Sequence, residues 1–408
     1  MFSPARALLI STAALVLESA SHGRGVDDAR VARVSTVHEL RAEARAATPG
    51  TRIEVAPGDY AGGIYLENLR GAKGLPIVIA GADPKNPPRF VGGADGIHLI
   101  NPSFVELHDL AVTGAKGNGV SIDDGGKFSP ALRGLVLRKL RISNIGPRGN
   151  CDALKLSGIN GFRVEDCEFS SWGTGAGSGI DMVGCHDGVV TGCEFRHEED
   201  VRASGGSGIQ MKGGSARVVV RANRFVHAGE RALNIGGSTG LQYFRPPLEE
   251  WPQGAGRYEA KEITVEGNTI IGSLSPICFV GIDGATVRFN TIYRPGKWAI
   301  RILQETNAPE FVPSRGGVFS DNLIVFSSAT WSAGGVNIGG NTAPETFRFA
   351  GNHWFCVDRP DRSRPQLPSA EDGGTYGVDP QFADASTLDL RLKGTSQAMG
   401  KGATGLRK

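Results

Sequence analysis

The sequence predicts an all-β protein, a right-handed parallel β-helix of about ten coils. Three observations support this fold class: a strand motif that recurs along the chain, a second strand ahead of each copy, and glycine-rich turns with no helix between them. Glycine accounts for 59 of the 408 residues, about twice its usual share. A chain with many turns and 40% hydrophobic residues can still bury a sizeable core.

The recurring motif is an alternating strand that ends in a marker residue and continues with a hydrophobic pair. The clearest copies are FRVEDCEF, GVVTGCEF, RVVVRANRF, EITVEGNTI, ATVRFNTI, GVFSDNLI and FRFAGNHW. Their marker residues are Cys167, Cys193, Asn223, Asn268, Asn290, Asn322 and Asn352. A period of about 20 to 50 residues is typical of repeats that pack only on their neighbours. We therefore expect the asparagines to form a ladder at one corner of the coils.

The strand ahead of each marker strand alternates apolar and polar residues, as half-buried strands do. These strands read GVSID, ALKLS, GIDMV, GIQMK, ALNIG, ICFVG, AIRIL and GVNIG. Strands of successive coils lie about 4.8 Å apart, so their outward residues should form one column. That column comprises Ser121, Lys155, Asp181, Gln210, Asn234, Cys278, Arg301 and Asn337. It predicts a flat, solvated face along which a long polymer can lie.

The start of the chain predicts export. Residues 1–23 resemble a secretory signal peptide, with Arg6 followed by the apolar run ALLISTAALVL and small residues. The alternative is an ordinary buried N-terminal helix. The run is too short to span a bilayer, and no later stretch is apolar enough. We therefore expect a secreted, periplasmic or cell-envelope protein without a membrane span.

Two further segments are expected to close the ends of the cylinder. TVHE at 36–39 has the form of a capping box and opens an amphipathic helix suited to the N-terminal end. We assign residues 34–356 to the β-helix and residues 357–408 to a proline-rich loop and C-terminal capping tail.

Composition excludes several classes of partner and cofactor. The net charge of +2 gives no nucleic-acid footprint. The six cysteines match no zinc spacing, and the eight histidines form no metal triad. Cys167 and Cys193 occupy one slot in successive coils, where in-register strands orient two sulfurs poorly for a disulfide. We expect a monomer without a cofactor.

The repeats, the start PGTRIEVAPGDY and the tail DPQFADASTLDLRLKGTSQAMGKG together resemble secreted bacterial right-handed β-helix proteins of the pectin-lyase-like class, with their PbH1-type repeats. The resemblance covers roughly residues 34–400. The class includes pectate, alginate and chondroitin lyases, polygalacturonases, mannuronan epimerases and members with no assigned role. It therefore implies the fold and an acidic polysaccharide as partner, without fixing the reaction.

Cleavage of a uronate polymer by β-elimination needs a cation on the sugar carboxylate, a base for the adjacent carbon-bound proton, and an acid for the leaving oxygen. We predict Lys212 as the base, Arg231 or Arg301 as the neutralising cation, and Asp181 as a further catalytic residue. Lys212-Gly213-Gly214-Ser215 is loosely similar to the Lys-Ser motif of alginate and chondroitin lyases. Gly236-Gly237-Ser238 stands in place of their arginine motif. Their acidic calcium ligands are also missing, with Gln210 at one such position, so calcium has no support here.

Substrate binding is predicted for two groups of residues. Lys155, Gln210 and Asn234 belong to the outward column. Tyr243, Arg245 and Trp251 lie in a long insertion at 238–260, where aromatic rings suit sugar rings and arginines suit carboxylates. The alternatives are a surface ion pair between Lys155 and Asp181, and an insertion that only covers hydrophobic wall.

Three other functions remain open from the sequence. A polysaccharide-binding or cell-surface module needs the same polar face without chemistry. A uronate epimerase shares the proton-abstraction step with a lyase. A glycoside hydrolase needs paired carboxylates, for which Asp181, Asp152 and Glu305 are the candidates.

Overall fold

Three long parallel sheets run along the part of the chain that the computed structural model describes, residues 30–128, 133–146, 149–198 and 206–406. The chain visits sheet 1, sheet 2 and sheet 3 in turn, and each strand pairs in register with the strands one coil before and after it. The predicted right-handed parallel β-helix is confirmed. The predicted signal peptide, residues 1–23, lies outside the described residues.

The strands of the described chain have the following bounds. Sheet 1 contains Ile64–Glu67, Ile97–Ile100, Val120–Asp123, Leu154–Ser157, Ser178–Val183, Ser207–Lys212, Arg231–Gly236, Ile277–Val280, Ile300–Leu303 and Val336–Ile338. Sheet 2 contains Val31–Val34, Arg52–Val55, Ile77–Gly81, Val105–His108, Arg133–Arg138, Asn160–Glu165, His186–Thr191, Ser215–Arg221, Ala260–Glu266, Ile282–Arg288, Arg315–Ser320, Arg348–Ala350 and Glu371–Asp372. Sheet 3 contains Asp59–Ala61, Arg89–Val91, Ala111–Thr113, Arg141–Ser143, Glu168–Ser170, Glu194–Arg196, Arg224–Val226, Thr269–Ile271, Thr291–Tyr293, Leu323–Phe326, His353–Cys356 and Thr375–Tyr376.

The remaining elements lie at the ends and in the connections. The α-helix Val37–Ala46 begins at Thr36, whose side chain accepts a hydrogen bond from the Glu39 N–H, and it buries Leu40 and Ala44. Near the C-terminus, Phe382–Asp384 pairs antiparallel with Asp389–Leu392. Short 3-10 turns are Leu241–Tyr243, Leu248–Glu250, Ala333–Gly335, Pro344–Thr346, Pro360–Arg362, Ala385–Thr387 and Ala403–Gly405. None of the helices in the described ranges is long and apolar enough to span a membrane.

The period-two pattern of the strands places alternate side chains in the core. Ile209 and Met211 are fully buried in the main hydrophobic cluster, whereas Gln210 between them faces outward, as predicted. Aromatic side chains continue the stacking from coil to coil inside the cylinder. Phe195 stacks on Phe169 and on Phe225, with ring centroids 4.8 and 4.7 Å apart.

The predicted asparagine ladder is present at the corner between sheets 2 and 3. Each amide donates to the next side chain at 2.9 to 3.0 Å, in the order Asn223, Asn268, Asn290, Asn322 and Asn352. Cys193 and Cys167 continue this column without a disulfide: the Cys167 N–H donates to Cys193 Sγ at 3.4 Å. The ladder satisfies backbone groups that the tight corner would otherwise leave unpaired.

We expect Asn290→Ala to lower the free energy of unfolding by about 2 to 3 kcal/mol. Asn290 is fully buried, and its Oδ1 accepts from the Asn268 N–H while its Nδ2 donates to Val265 O. Alanine would leave these partners buried and unpaired. Denaturant unfolding followed by circular dichroism measures the loss. The control is Asn307→Ala, because Asn307 is exposed and accepts from the Asn341 amide at the surface, so the substitution should change stability by under about 0.5 kcal/mol.

Candidate functional site

The outward column of sheet 1 has the register that the sequence predicts. Successive strand pairings align Ser121, Lys155, Asp181, Gln210, Asn234, Cys278, Arg301 and Asn337. Residues far apart in the chain therefore meet on a single outer wall. Their roles in binding or catalysis stay predictions, since the pairing fixes positions and not chemistry.

The middle of this column is shielded from solvent, so the expectation of a solvated face is wrong there. Asp181 is 1% exposed, Asn234 2% and Cys278 0%, although all three belong to the outward column. Long cationic side chains lie against the first two, Lys155 and Lys212 at Asp181 and Arg231 at Asn234. A strand residue that faces outward is therefore buried here by its neighbours' side chains.

Asp181 is the centre of a buried charge cluster with Lys155, Lys212 and Asp152. Its Oδ2 accepts a hydrogen bond from Lys155 Nζ, and its Oδ1 lies 3.4 Å from Lys212 Nζ. Lys155 Nζ is also 3.4 Å from Asp152 Oδ2. The side chains of Lys155 and Lys212 are only 22% and 15% exposed. The pair between Lys155 and Asp181 is thus a buried one, and the alternative of a weak surface ion pair does not describe it.

Burial and neighbouring charges both shift the pKa values of the groups in this cluster. Burial lowers the pKa of Lys155, but the carboxylates of Asp181 and Asp152 outweigh it and raise that pKa to about 12. Burial raises the pKa of Asp152 to about 7, and the neighbouring Asp181 carboxylate acts in the same direction. Asp152 is therefore a carboxylic acid that can hold its proton near neutral pH.

We expect the free energy of unfolding to fall as the pH rises from about 4 to about 7, and to fall less in Asp152→Asn. A carboxyl group whose folded pKa is raised binds its proton more tightly in the native state than in the unfolded chain. The native state therefore holds the extra proton in this window, and its stabilisation is lost as the pH rises through the folded pKa. Urea unfolding at several pH values measures the slope, and equal slopes in the two proteins would refute this assignment.

Arg231 and Arg301 lie further along the same face. Arg231 donates to Asn234 Oδ1 at 3.3 Å and to Glu305 Oε1 at 2.7 Å. Arg301 donates to Asn337 Oδ1 at 3.0 Å, and its guanidinium lies 4.8 Å from the centre of the Trp298 ring. The face therefore carries Lys155, Lys212, Arg231 and Arg301 in sequence, and the first three are paired with carboxylates.

A second polar column lies just before the starts of the sheet 1 strands, and it was not predicted from the sequence. Asp95 Oδ1 accepts from the Asn118 N–H, Asn118 Oδ1 from the Asp152 N–H, and Asp152 Oδ1 from the Ser178 N–H. The sequence contained a signal for this column. Each of its residues stands two positions before an apolar strand residue, and the strand register aligns those apolar residues with one another. At the N-terminal end of the face, His98 lies between Asp123, with Nε2 2.6 Å from Oδ2, and Asp95. The hydrogen bond to Asp123 raises the pKa of His98.

The insertion loop, residues 238–260, is held to the body by a buried carboxylate. Glu259 is fully buried and accepts from the N–H groups of Gly213 and Thr239 and from two hydroxyls, those of Thr239 and Thr306. This role was not predicted from the sequence, since the three partners lie 20 to 47 residues away. Through its hydrogen bond from Gly213, the residue after Lys212, Glu259 fixes the loop next to the candidate site.

The three predicted binding residues of the insertion loop differ in their exposure and in their contacts. Tyr243 is 59% exposed, at the surface. Arg245 Nε donates to Asp124 Oδ2 at 2.6 Å, so its partner in this structure is a carboxylate of the protein. The Trp251 indole donates to Pro246 O, and its ring lies 4.7 Å from that of Tyr258. Arg245 therefore holds the loop against the coils, whereas these contacts of Trp251 lie within the loop.

A β-bulge opens the insertion beside Gln210. The pairing shifts between Gln210–Asn234 and Met211–Gly236, which leaves Ile235 as the extra residue. Gly236 has φ 95°, and a Cβ there would lie 1.8 Å from Val280 O. Only glycine fits this position, so the chain can leave sheet 1 here without displacing the next coil.

No three His, Cys, Asp or Glu side chains within the described ranges are grouped as a metal site requires. The candidate site therefore consists of the charge cluster and the cations along sheet 1, bordered by the insertion loop.

Comparisons with known proteins agree with this architecture. A family model for the right-handed β-helix region matches residues 95–244. An alginate lyase from Paenibacillus sp. str. FPU-7 is 15% identical with a TM-score of 0.50, and the match covers 78% of this chain and 99% of that one. A PL6 family polysaccharide lyase from Pseudopedobacter saltans, Pedsa3628, is 13% identical with a TM-score of 0.55 over 91% of this chain and 99% of that one.

Pectate lyase Pel9A is similar to the same degree, with 14% identity and a TM-score of 0.50 over 88% of this chain and 85% of its own. Among curated proteins, none matches the sequence. Identities this low establish the shared fold alone. The chain is a right-handed parallel β-helix protein with the fold found in pectate and alginate lyases.

Proposed function

We propose that this protein is an exported carbohydrate-active enzyme that cleaves an acidic, uronate-containing polysaccharide by β-elimination on the face of sheet 1. The observation that carries the proposal is the row of largely buried cationic side chains around Asp181. Lys155, Lys212 and Arg231 are each at least three-quarters buried and are held by carboxylates or by Asn234. Charges with reduced solvent access interact more strongly than fully hydrated ones, which favours contact with a polyanion here.

Lys212 is assigned as the base and Arg231 as the cation that neutralises the sugar carboxylate. Lys212 acts from its neutral amine form, so its ammonium group first releases a proton to solvent. Neutralisation of the sugar carboxylate then favours loss of the proton on the adjacent carbon, which passes to this amine. The electron pair forms the new carbon–carbon double bond as the glycosidic bond breaks, and the leaving oxygen takes up a proton from water. Asp181, with Oδ1 3.4 Å from Lys212 Nζ, stabilises the ammonium group that results.

The test is incubation of the purified protein with alginate, polygalacturonate and chondroitin sulfate, followed by ultraviolet absorbance of the unsaturated product. Lys212→Ala should lower the rate by about 10²- to 10⁴-fold. The matched control is Lys261→Ala, because Lys261 also lies 3.4 Å from an aspartate oxygen, that of Asp283, but on sheet 2. Absence of an unsaturated product from all three polymers would refute elimination, and an equal loss in both variants would refute the assignment to Lys212.

Glycoside hydrolysis is the second candidate, favoured by one observation. The raised pKa of Asp152, next to Asp181, is what a carboxylic acid that protonates a leaving group needs. Both carboxyl groups are only 1% exposed, which makes direct contact with a sugar harder than for Lys212. New reducing ends without the ultraviolet chromophore, abolished by Asp152→Asn, would establish hydrolysis in place of elimination.

A further inference from the structure

A second groove lies on the outer side of sheet 2, at the starts of four successive strands, and has a volume of about 600 Å³. It is lined by Phe128, Asn160, Asp187, Arg217, Pro246 and Tyr258, among others. Pro246 and Tyr258 come from the insertion loop. The loop therefore borders both the candidate site on sheet 1 and this groove.

Asp187 and Arg217 occupy a backbone position at which other coils use glycine. The strand register aligns them with Gly134, Gly161, Gly284 and Gly316. The φ angles are 56° for Asp187 and 55° for Arg217, in the left-handed region that favours glycine. Two side chains are therefore kept at a position where glycine would be less strained, and they face the groove.

These two side chains form a bidentate ion pair at the surface. Arg217 Nε lies 2.6 Å from Asp187 Oδ1, and Nη2 lies 3.0 Å from Oδ2. The side chains are 51% and 54% exposed, and ion pairs this exposed contribute little to stability. Stability alone does not account for them, whereas a planar array of donors and acceptors at a groove suits a ligand rich in hydroxyl groups.

The rest of the groove is firmly supported. His186 lies beneath it, buried, with one ring nitrogen 2.9 Å from Asn160 Oδ1 and the other 3.0 Å from Gly214 O. Tyr258 packs on Trp251, with ring centroids 4.7 Å apart. Aromatic rings beside fixed polar groups are the usual composition of a sugar site.

We propose that this groove binds one segment of an acidic polysaccharide at a site separate from the face of sheet 1. The four strand starts span about 14 Å, three strand spacings, which is enough for a short oligosaccharide segment. The Arg217 guanidinium is half exposed and can pair bidentately with a carboxylate, which favours sugars that carry a carboxylate over neutral ones. The inference rests on the proposed polysaccharide substrate but not on its cleavage.

Glycine variants test the proposal without straining the backbone. Asp187→Gly and Arg217→Gly remove the side chains at a position that accepts glycine in neighbouring coils. Glu262→Gly is the matched control, because Glu262 has φ 54° at the same position of the next coil and does not line the groove. All three should melt at or above the wild-type temperature, which separates loss of binding from loss of folding.

Calorimetric titration with tetragalacturonate and tetramannuronate, in a Lys212→Ala background that prevents turnover, measures the number of sites and their Kd. We expect two sites in this background, and one site, or a Kd weakened at least tenfold at one of them, after Asp187→Gly or Arg217→Gly. Glu262→Gly should leave both unchanged, and maltotetraose should not bind.

Unchanged stoichiometry and Kd in both groove variants would overturn the proposal, as would the absence of saturable binding of either uronate oligomer. A cleavage assay on the same oligomers with Lys212 intact keeps the two proposals distinguishable. Binding that depends on Arg217 in a protein without any cleavage would overturn the lyase assignment and leave the groove assignment standing. Cleavage that persists while no binding depends on Arg217 would do the reverse.

Discussion

Asp181→Ala is expected to lower the free energy of unfolding by about 4 kcal/mol. The substitution removes the carboxylate that lies between Lys155 and Lys212, two ammonium groups that are at least three-quarters buried. An uncompensated buried charge is far more costly than a lost surface pair, because water cannot replace the missing partner. Urea unfolding followed by circular dichroism measures the loss.

The control for this prediction is Asp59→Ala. Asp59 pairs with Arg89 on the adjacent coil, but the side chains are 59% and 57% exposed, so the expected loss is under about 1 kcal/mol. The double variant Asp181→Leu with Lys155→Met should recover part of the stability, since it replaces a charge pair with apolar groups. A loss below about 1 kcal/mol in Asp181→Ala would contradict this prediction, because it would show that the cluster is hydrated in solution.

Glu259→Ala is expected to detach the base of the insertion loop, at a cost of about 3 kcal/mol in the local opening free energy. Four donors converge on this carboxylate, two backbone N–H groups and two hydroxyls, and alanine leaves all of them without an acceptor. Hydrogen exchange of the Gly213 and Thr239 amides should accelerate about 100-fold, following the tenfold change per about 1.4 kcal/mol.

Glu250→Ala is the matched control for the loop. Glu250 is an exposed glutamate of the same insertion, and its substitution should leave exchange at Gly213 and Thr239 unchanged. If exchange at those two amides is equal in wild type and Glu259→Ala, the loop is held by its aromatic contacts instead, chiefly those of Phe244 with Trp251 and Phe311.

The electrostatic setting of the sheet 1 face follows from the stacking of coils. A cation on one strand lies about 4.8 Å from the next strand's outward residue, so charges that are well separated in sequence interact directly. Lys155 with Asp181, and Arg301 with Asn337, are such pairs across one strand spacing. Outward residues on adjacent strands of this face therefore interact. A substitution of one residue should change the electrostatic environment of the outward residues on both neighbouring strands.

The sequence by itself determined the coils and the register of their strands. Alternation with period two and a marker residue in each coil are local signals, repeated often enough to fix which side chains face inward and which face outward. Because identical geometry recurs in every coil, the alignment of Lys155, Asp181, Gln210 and Asn234 could be predicted without a structure. The asparagine ladder followed for the same reason.

Only the tertiary structure decided how deep those residues lie and what they contact. Asp181 is buried because side chains from adjacent coils cover it, and no pattern along one strand reports that. Arg245 meets Asp124 across 121 residues, and Glu259 meets Thr306 across 47, through connections of irregular length. Such contacts depend on the path of each loop in space, whereas the repeat constrains only the strands between the loops.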